Sequence, residues 1–339
     1  MKLHVVSFQV PFPPDYGGLI DVYYKLKALK EAGCSVVLHT YRYEVAEQPD
    51  LLKVADAVYY YERFTGWCSM FSFRPYIVYS RRSKLLLERL CEDDSPILFE
   101  GLHTCYFLSN PLLRGRQKWV RMHNVEHDYY YFLGKSCVSW YEKCYYYLEA
   151  WKLKHYERVL LYADKILAIT NTDALYFTQK YPSVSTYCLP CFFDNISVET
   201  VTDVSPENEK YILYHGNLSV LENVRVINYI LDNLLPKLDI NMRVVIAGKN
   251  PDKHLREKIS RIPNVSLVAN PSQEEMNSLI VFAHIHLLLT FQNTGIKLKL
   301  IYSLMKGHGH CPVMPEALQW RQQALMKMGY NNQVTLILH

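Results

Sequence analysis

The chain has 339 residues, with 37 basic and 33 acidic side chains. The resulting formal charge of +4 lacks the concentrated basic patch of a nucleic-acid protein, so no nucleic-acid partner is expected. Half the residues are apolar, yet no window offers the ~18 uninterrupted apolar residues of a membrane helix, and the length suits two cores of roughly 150 residues each.

The N-terminal Met1-Lys2-Leu3-His4-Val5-Val6 enters a strand-like run without the basic and apolar regions of a signal peptide, which makes the cytoplasm the expected compartment. Apolar, β-branched runs predict strands at Leu3–Val10, Ser35–Tyr41, Pro96–Leu102, Lys118–His123 and Lys165–Thr170. Helical patterns lie between them, notably at Gly18–Ala32 and across Val138–Tyr162. That alternation calls for a parallel sheet with helices on both faces. The first strand exits into Pro11-Phe12-Pro13-Pro14-Asp15-Tyr16-Gly17-Gly18. Glycines at such a turn let the backbone approach a ligand at the carboxyl edge of the sheet. The loop is not Gly-x-Gly-x-x-Gly, and no acidic residue ends a neighbouring second strand, which opposes an NAD oxidoreductase.

Polar clusters close two further strands, Glu100-Gly101-Leu102-His103 and Arg121-Met122-His123-Asn124-Val125-Glu126-His127. A lone His is usually a hydrogen-bonded structural residue, but a polar cluster at a strand's carboxyl end sits where ligands collect, and His123 and Glu126 are the catalytic candidates. Tyrosine is over-used, at 28 residues, and runs such as Tyr129-Tyr130-Tyr131 and Tyr145-Tyr146-Tyr147 read as half-buried amphipathic packing. The nine scattered cysteines fit reduced thiols. Cys188-Leu189-Pro190-Cys191 has redox spacing, but it follows the strand-like Ser185-Thr186-Tyr187 instead of opening a helix, where the dipole would lower a thiol pKa. No second pair completes a zinc site, and His308-Gly309-His310-Cys311 is too tightly spaced to converge on one ion, so no metal is expected.

Residues 197–210 are polar and acidic, with few large apolar side chains, and read as a linker. A second series follows: strands at Tyr211–His215, Arg243–Gly248, Val265–Ala269 and Ile285–Phe291, and helices at Glu222–Leu235, Asp252–Ser260 and Gln273–Ala283. The expected class is α/β, two doubly wound domains (1–196 and 211–307), with ligand bound between the carboxyl ends of both sheets. Glycine stands at two strand exits, Tyr214-His215-Gly216-Asn217 and Ala247-Gly248-Lys249-Asn250-Pro251. The last strand leads into Gln292-Asn293-Thr294-Gly295-Ile296-Lys297-Leu298-Lys299-Leu300-Ile301-Tyr302, a glycine turn before a helix whose first turn carries lysine. Exposed N–H groups, the helix dipole and two lysines make that turn an anion site.

These motifs resemble retaining GT-B glycosyltransferases of family four. In that family a Gly-x-Gly-Ile-Lys-x-Lys turn meets the donor sugar, and the following helix carries a carboxylate for the nucleotide ribose. Here Asn293 replaces the first glycine and Tyr302 stands at the carboxylate position. Ile246-Ala247-Gly248-Lys249-Asn250-Pro251 is similar to the segment whose basic residue reaches the donor diphosphate. The proline-led Gly17-Gly18 loop and the His-Asn-x-Glu-His segment also match. The resemblance implies a GT-B fold of two facing Rossmann-like domains, moving sugar from a nucleotide-sugar donor to a glycan or lipid-linked acceptor without metal or cofactor. It assigns His123 and Glu126 to catalysis, and Gly17, Gly18, Gly216, Lys249, Thr294, Gly295, Lys297 and Tyr302 to the donor.

The resemblance ends at Gly307, and 308–339 reads as an atypical tail in which Leu325–Tyr330 and Val334–Leu338 are apolar enough to cover an exposed sheet edge. Tyr302 and the atypical tail favour the alternative, a degenerate, non-catalytic nucleotide- or sugar-binding relative, and the absence of a basic residue in Leu218–Asn223 weakens the expected donor affinity. Phe64–Arg74 sets aromatics beside Arg81, Arg82 and Lys84, the mixture of a weak contact with an anionic membrane surface, so a peripheral place at the inner face is compatible with the cytoplasm.

Overall fold

In the computed structural model, which describes residues 1–14, 17–42, 46–137, 139–193, 210–238, 242–289, 303 and 336–338, the chain divides into two compact units, with the described residues up to Phe193 in the first and those from Lys210 onward in the second. The first is built on strands β1 (Lys2–Ser7), β2 (Ser35–Arg42), β3 (Ala57–Glu62), β4 (Ile97–Glu100), β5 (Lys118–Met122), β6 (Lys165–Ala168) and β7 (Ser185–Cys188). They form one parallel sheet in the order β3-β2-β1-β4-β5-β6-β7. Leu3, Val5, Val36, Leu38 and Leu98 pack into the core of one face, and Val6, Tyr41, Phe99, Val120 and Ile166 into that of the other. A strand buried on both faces must be a continuous apolar run, which is why these strands are readable in the sequence.

Helix α1 (Gly17–Glu31) lays Leu19, Val22 and Leu26 into the core of the first of those faces. It stops where Gly33 takes a φ of 77°, a left-handed conformation that favours glycine, with Cys34 N–H closing back on Leu29 O at 2.9 Å. Short helices α2 (Trp67–Met70), α3 (Tyr76–Tyr79) and α4 (Lys84–Leu90) follow β3. Helices α5 (Glu126–Ser136) and α6 (Trp140–Tyr156) form a hairpin, and α7 (Asn171–Lys180) connects β6 to β7. The hairpin is closed by tyrosine packing, with Tyr130 against Tyr146 and Tyr131 against Tyr147 at ring-centroid distances of 5.9 and 5.5 Å.

The second unit carries β8 (Tyr211–Asn217), α8 (Leu221–Tyr229), β9 (Arg243–Lys249), α9 (Lys253–Ser260), β10 (Val265–Ala269), α10 (Gln273–Phe282), β11 (Ile285–Leu287) and β12 (Leu336–Leu338). The sheet order is β10-β9-β8-β11-β12, parallel except for β12, which lies antiparallel on β11. Asp252 caps α9, and Ser272 with Glu275 forms a complete capping box on α10, so both helix starts are written locally.

Four expectations change. Strand β3 was not anticipated, because Ala57-Val58-Tyr59-Tyr60-Tyr61-Glu62 has neither strict alternation nor a continuous aliphatic run. The helix expected across Val138–Tyr162 is α6 followed by a tighter 3-10 segment, Glu157–Tyr162. The helix expected to Leu235 ends as α8 at Tyr229 and continues through a π turn, Ile230–Leu234. The strand expected over Ile285–Phe291 ends at Leu287. The expected linker, apart from Lys210, lies outside the described residues, as does most of the tail. Among the described residues no helix is long and apolar enough to cross a membrane.

Candidate functional site

In the first unit the strand order reverses between β1 and β4, the switch point where an open α/β sheet leaves a crevice at its carboxyl edge. The residues collected there are mostly ionisable and buried. Arg121, in β5, donates to both Asp21 oxygens of α1 at 3.0 and 2.8 Å, and to the carbonyls of Leu189 and Pro190. Lys25, one turn after Asp21, donates to Asp21 Oδ2 at 3.0 Å and lies 2.8 Å from Glu100 Oε1 at the end of β4. His123 Nε2 is 3.1 Å from Glu100 Oε2, and its Nδ1 is 3.9 Å from Asp21 Oδ2.

Two carboxylates against one ammonium and one guanidinium give a neutral set, the condition under which buried charge is tolerated. Burial alone would raise the Asp21 carboxyl, but Lys25, His123 and Arg121 outweigh it and hold it well below the usual range. Glu100 is likewise pulled down, with Lys25 and the His123 hydrogen bond overcoming burial. Asp21, Glu100 and His123 bring three ligand atoms within 4.8 Å of one another. Lys25 and Arg121 already supply the positive charge that these carboxylates require, so an ion there would compete with the chain's own cations.

Beside this set lies a second pair. Glu126 opens α5, is 2% exposed, and has its pKa pushed up to about 8, chiefly by burial and then by the Glu157 carboxylate. That environment favours the protonated acid over the carboxylate near neutral pH. His103 Nδ1 stands 3.8 Å from Glu126 Oε1, is buried and has no hydrogen-bond partner. Burial, then Arg81 and His123, hold the His103 imidazole well below its ordinary value. Phe8 packs on both histidines, with ring centroids 5.4 Å from His103 and 5.5 Å from His123. Gly101 makes the turn with φ 71°, and a Cβ there would meet His103 Nδ1 at 2.9 Å. A protonated carboxyl facing a neutral imidazole is an arrangement able to exchange a proton with a bound hydroxyl.

At the carboxyl edge of the second sheet, Gly216 pairs with Gly248, and Asn217 with Lys249. A Cβ on Gly248 would lie 1.8 Å from Gly216 O, so only glycine fits. Asn223 ties the turn down: its side chain accepts from Tyr214 Oη at 2.9 Å and donates to Asn217 O at 2.8 Å. Asn250 and Asn270 both take left-handed φ, 55° and 53°, and Asn250 N–H donates to Asn270 Oδ1 at 2.7 Å. The result is a fixed, backbone-lined edge with Lys249 exposed beside it.

Of the residues singled out from sequence, Gly17 and Gly18 are the first two of α1, one turn before Asp21. His123 and Glu126 share the first sheet's carboxyl edge, and Gly216 and Lys249 share the second's. Thr294, Gly295, Lys297 and Tyr302 lie outside the described residues. Sequence reasoning missed Asp21, Lys25, Glu100 and Arg121 as a set; the available signal was an Asp–Lys pair spaced i,i+4 inside an otherwise apolar helix face. Cys188 is at the end of β7, and burial raises both its thiol and that of Cys191, opposite to what redox chemistry needs.

No family model matches the sequence. An uncharacterized 44.6 kDa protein in the cps region of Klebsiella pneumoniae is 26% identical over 317 residues, covering 88% of this chain and 79% of that protein. Among solved structures, the apo lipopolysaccharide outer core galactosyltransferase WaaB superposes with a TM-score of 0.57 at 16% identity, over 94% of this chain and 83% of that one. TarM gives 0.57 at 9% identity, over 96% and 91%. The catalytic domain of starch synthase IV from Arabidopsis thaliana, bound to ADP and acarbose, gives 0.57 at 11%, over 90% and 81%. At such identities the likeness is one of fold. The fold is α/β with parallel sheets in Rossmann-like domains, that of GT-B glycosyltransferases.

Proposed function

We propose that this chain is a metal-independent, retaining glycosyltransferase that moves a sugar from a nucleotide-sugar donor to a glycan or lipid-linked acceptor. The reading divides the chain into an acceptor-side domain (1–196), a linker (197–210) and a nucleotide-sugar domain (211–307). The observation that carries it is the glycine pair Gly216–Gly248 at the carboxyl edge of the second sheet, with Lys249 next in register. The glycines let the two strand ends pack tightly, which presents Lys249 at the edge, exposed, as a compact charge suited to phosphate. Thr294, Gly295 and Lys297 would complete the donor site, with Tyr302 toward the ribose. Gly17, Gly18, His123 and Glu126 would meet the transferred sugar and acceptor, where neutral Glu126 can donate a hydrogen bond. A relative in a cps region and a fold shared with a galactosyltransferase and an ADP-bound starch synthase support a place in polysaccharide synthesis.

A thermal-shift screen against nucleotide sugars, followed by assay of nucleoside diphosphate release, tests the reading. Binding without turnover would favour the non-catalytic alternative. Tyr302 motivates that alternative, because a phenol cannot accept the bidentate pair that a carboxylate accepts.

A further inference from the structure

The α5–α6 hairpin leaves one side of α6 bare. Tyr141, Cys144, Leu148, Trp151 and His155 recur at i, i+3, i+7, i+10 and i+14, and all five are exposed. Such spacing places them on one stripe. An apolar stripe normally faces a core, but here the core-facing side of α6 is Glu149, Ala150, Lys152 and Leu153. Glu142, the exposed acid near the start of α6, points about 140° away from the stripe at 100° per residue.

The loop after α2 is tied to α6 through Glu149 and Lys152. Phe71 and Phe73 are 82% and 97% exposed, the most solvent-facing aromatic side chains among the described residues. They are held in place, because Lys152 Nζ donates to Met70 O at 3.2 Å on one side and Tyr76 N–H donates to Glu149 Oε2 at 2.7 Å on the other. The two bonding side chains come from the α6 positions adjoining Leu148 and Trp151. The loop and the helix, bonded to each other, both expose apolar side chains, Phe71 and Phe73 on one and Trp140, Tyr141, Leu148 and Trp151 on the other, while Tyr145, Tyr146 and Tyr147 are half-buried as the sequence implies.

The cations at its margin differ from those expected. Arg81 is buried and donates to Phe8 O, so it leaves the set. Arg82 lies over the rings of Phe64 and Tyr79, 4.6 and 3.9 Å from their centroids. Arg74 is exposed directly after Phe73, Lys154 is exposed in the last turn of α6, and Arg158 in the 3-10 segment that follows it. Exposed Trp, Tyr and Phe beside arginine and lysine match the two layers of a bilayer surface, with rings at the headgroup level and cations on lipid phosphates.

We propose that the first unit docks on a bilayer containing anionic lipid through the α6 stripe and the Phe71–Phe73 loop together. The surface is independent of the assigned catalytic residues and would place a lipid-linked acceptor near an enzyme with no described membrane-spanning helix.

The test is sedimentation of the full-length protein with vesicles of phosphatidylcholine alone and of an equimolar phosphatidylcholine–phosphatidylglycerol mixture. Binding is expected to the mixed vesicles only, and to weaken as salt is raised. Phe71→Ser/Phe73→Ser and Leu148→Ser/Trp151→Ser should each reduce the bound fraction by roughly tenfold or more, with unchanged circular dichroism because the side chains are exposed. Arg74→Glu/Lys154→Glu should remove the preference for anionic lipid. No binding to mixed vesicles, or binding that all three double variants leave intact, would overturn the proposal. So would a dimer in light scattering that the serine variants dissolve without any vesicle binding, since that assigns the face to a second copy. No donor or acceptor enters the assay, so its outcome is separate from the presence or absence of sugar transfer.

Discussion

The two sheets repeat one strand order, β3-β2-β1-β4 in the first and β10-β9-β8-β11 in the second, yet their carboxyl edges are furnished in opposite ways. The first edge is crowded with buried ionisable side chains that neutralise one another. The second is stripped to glycine backbone, braced by asparagines. The same topology thus carries two kinds of edge: buried ionisable side chains on one, and tightly packed glycine backbone with the exposed Lys249 beside it on the other. Strand exits set where a site forms, and the side chains at those exits set what it does.

The largest expected effect separates the edges most sharply. Arg121→Ala leaves Asp21 charged, buried and short of its bidentate partner, and should cost about 3–5 kcal/mol of stability in urea unfolding. A loss below about 1 kcal/mol would mean that water reaches the cluster. On the second edge the sensitive position is steric. Gly248→Ala should cost about 2–3 kcal/mol, because the new Cβ would sit 1.8 Å from Gly216 O. Gly216→Ala should cost less, since its nearest neighbour is the Asn223 amide at 3.2 Å, a side chain able to give way.

Lys249→Ala should leave the unfolding midpoint unchanged and weaken nucleoside diphosphate binding by about 1.5–3 kcal/mol, one charge-assisted hydrogen bond. Equal affinity in calorimetry would remove Lys249 from the donor site. The gentlest effect is a slope. Glu126 ionises at about 8 when folded and at its ordinary 4.5 when unfolded, so the folded state holds the extra proton between those values. The stability it contributes is complete below pH 4.5 and is lost as pH rises to about 8, at up to about 1.4 kcal/mol per pH unit. Glu126→Gln should flatten the curve in that window; an unchanged curve would show that Glu126 ionises normally.

The strands at the centres of both sheets were legible because burial on two faces demands unbroken apolar runs such as Ile97–Phe99 and Val244–Ala247. Strand β3 was hidden because Tyr59–Tyr61 satisfies an amphipathic surface in either secondary structure. The glycine exits could be read one segment at a time, since Gly216 and Lys249 each sit within a local strand–turn pattern. The ionic cluster could not, because Asp21 and Arg121 are 100 residues apart and only the order of strands brings them into contact. The exposed stripe of α6 was not legible either, for a related reason. Periodicity identifies an apolar face but not the element that covers it.

The most direct test of the central claim is to incubate the purified chain with a panel of nucleotide sugars and glycan or lipid-linked acceptors, with a chelator present, and follow nucleoside diphosphate release and the anomeric configuration of the product. The account predicts release from one donor class, unaffected by the chelator, with retained configuration and strongly reduced in Lys249→Ala. Failure to bind or release a nucleoside diphosphate from any donor would contradict it.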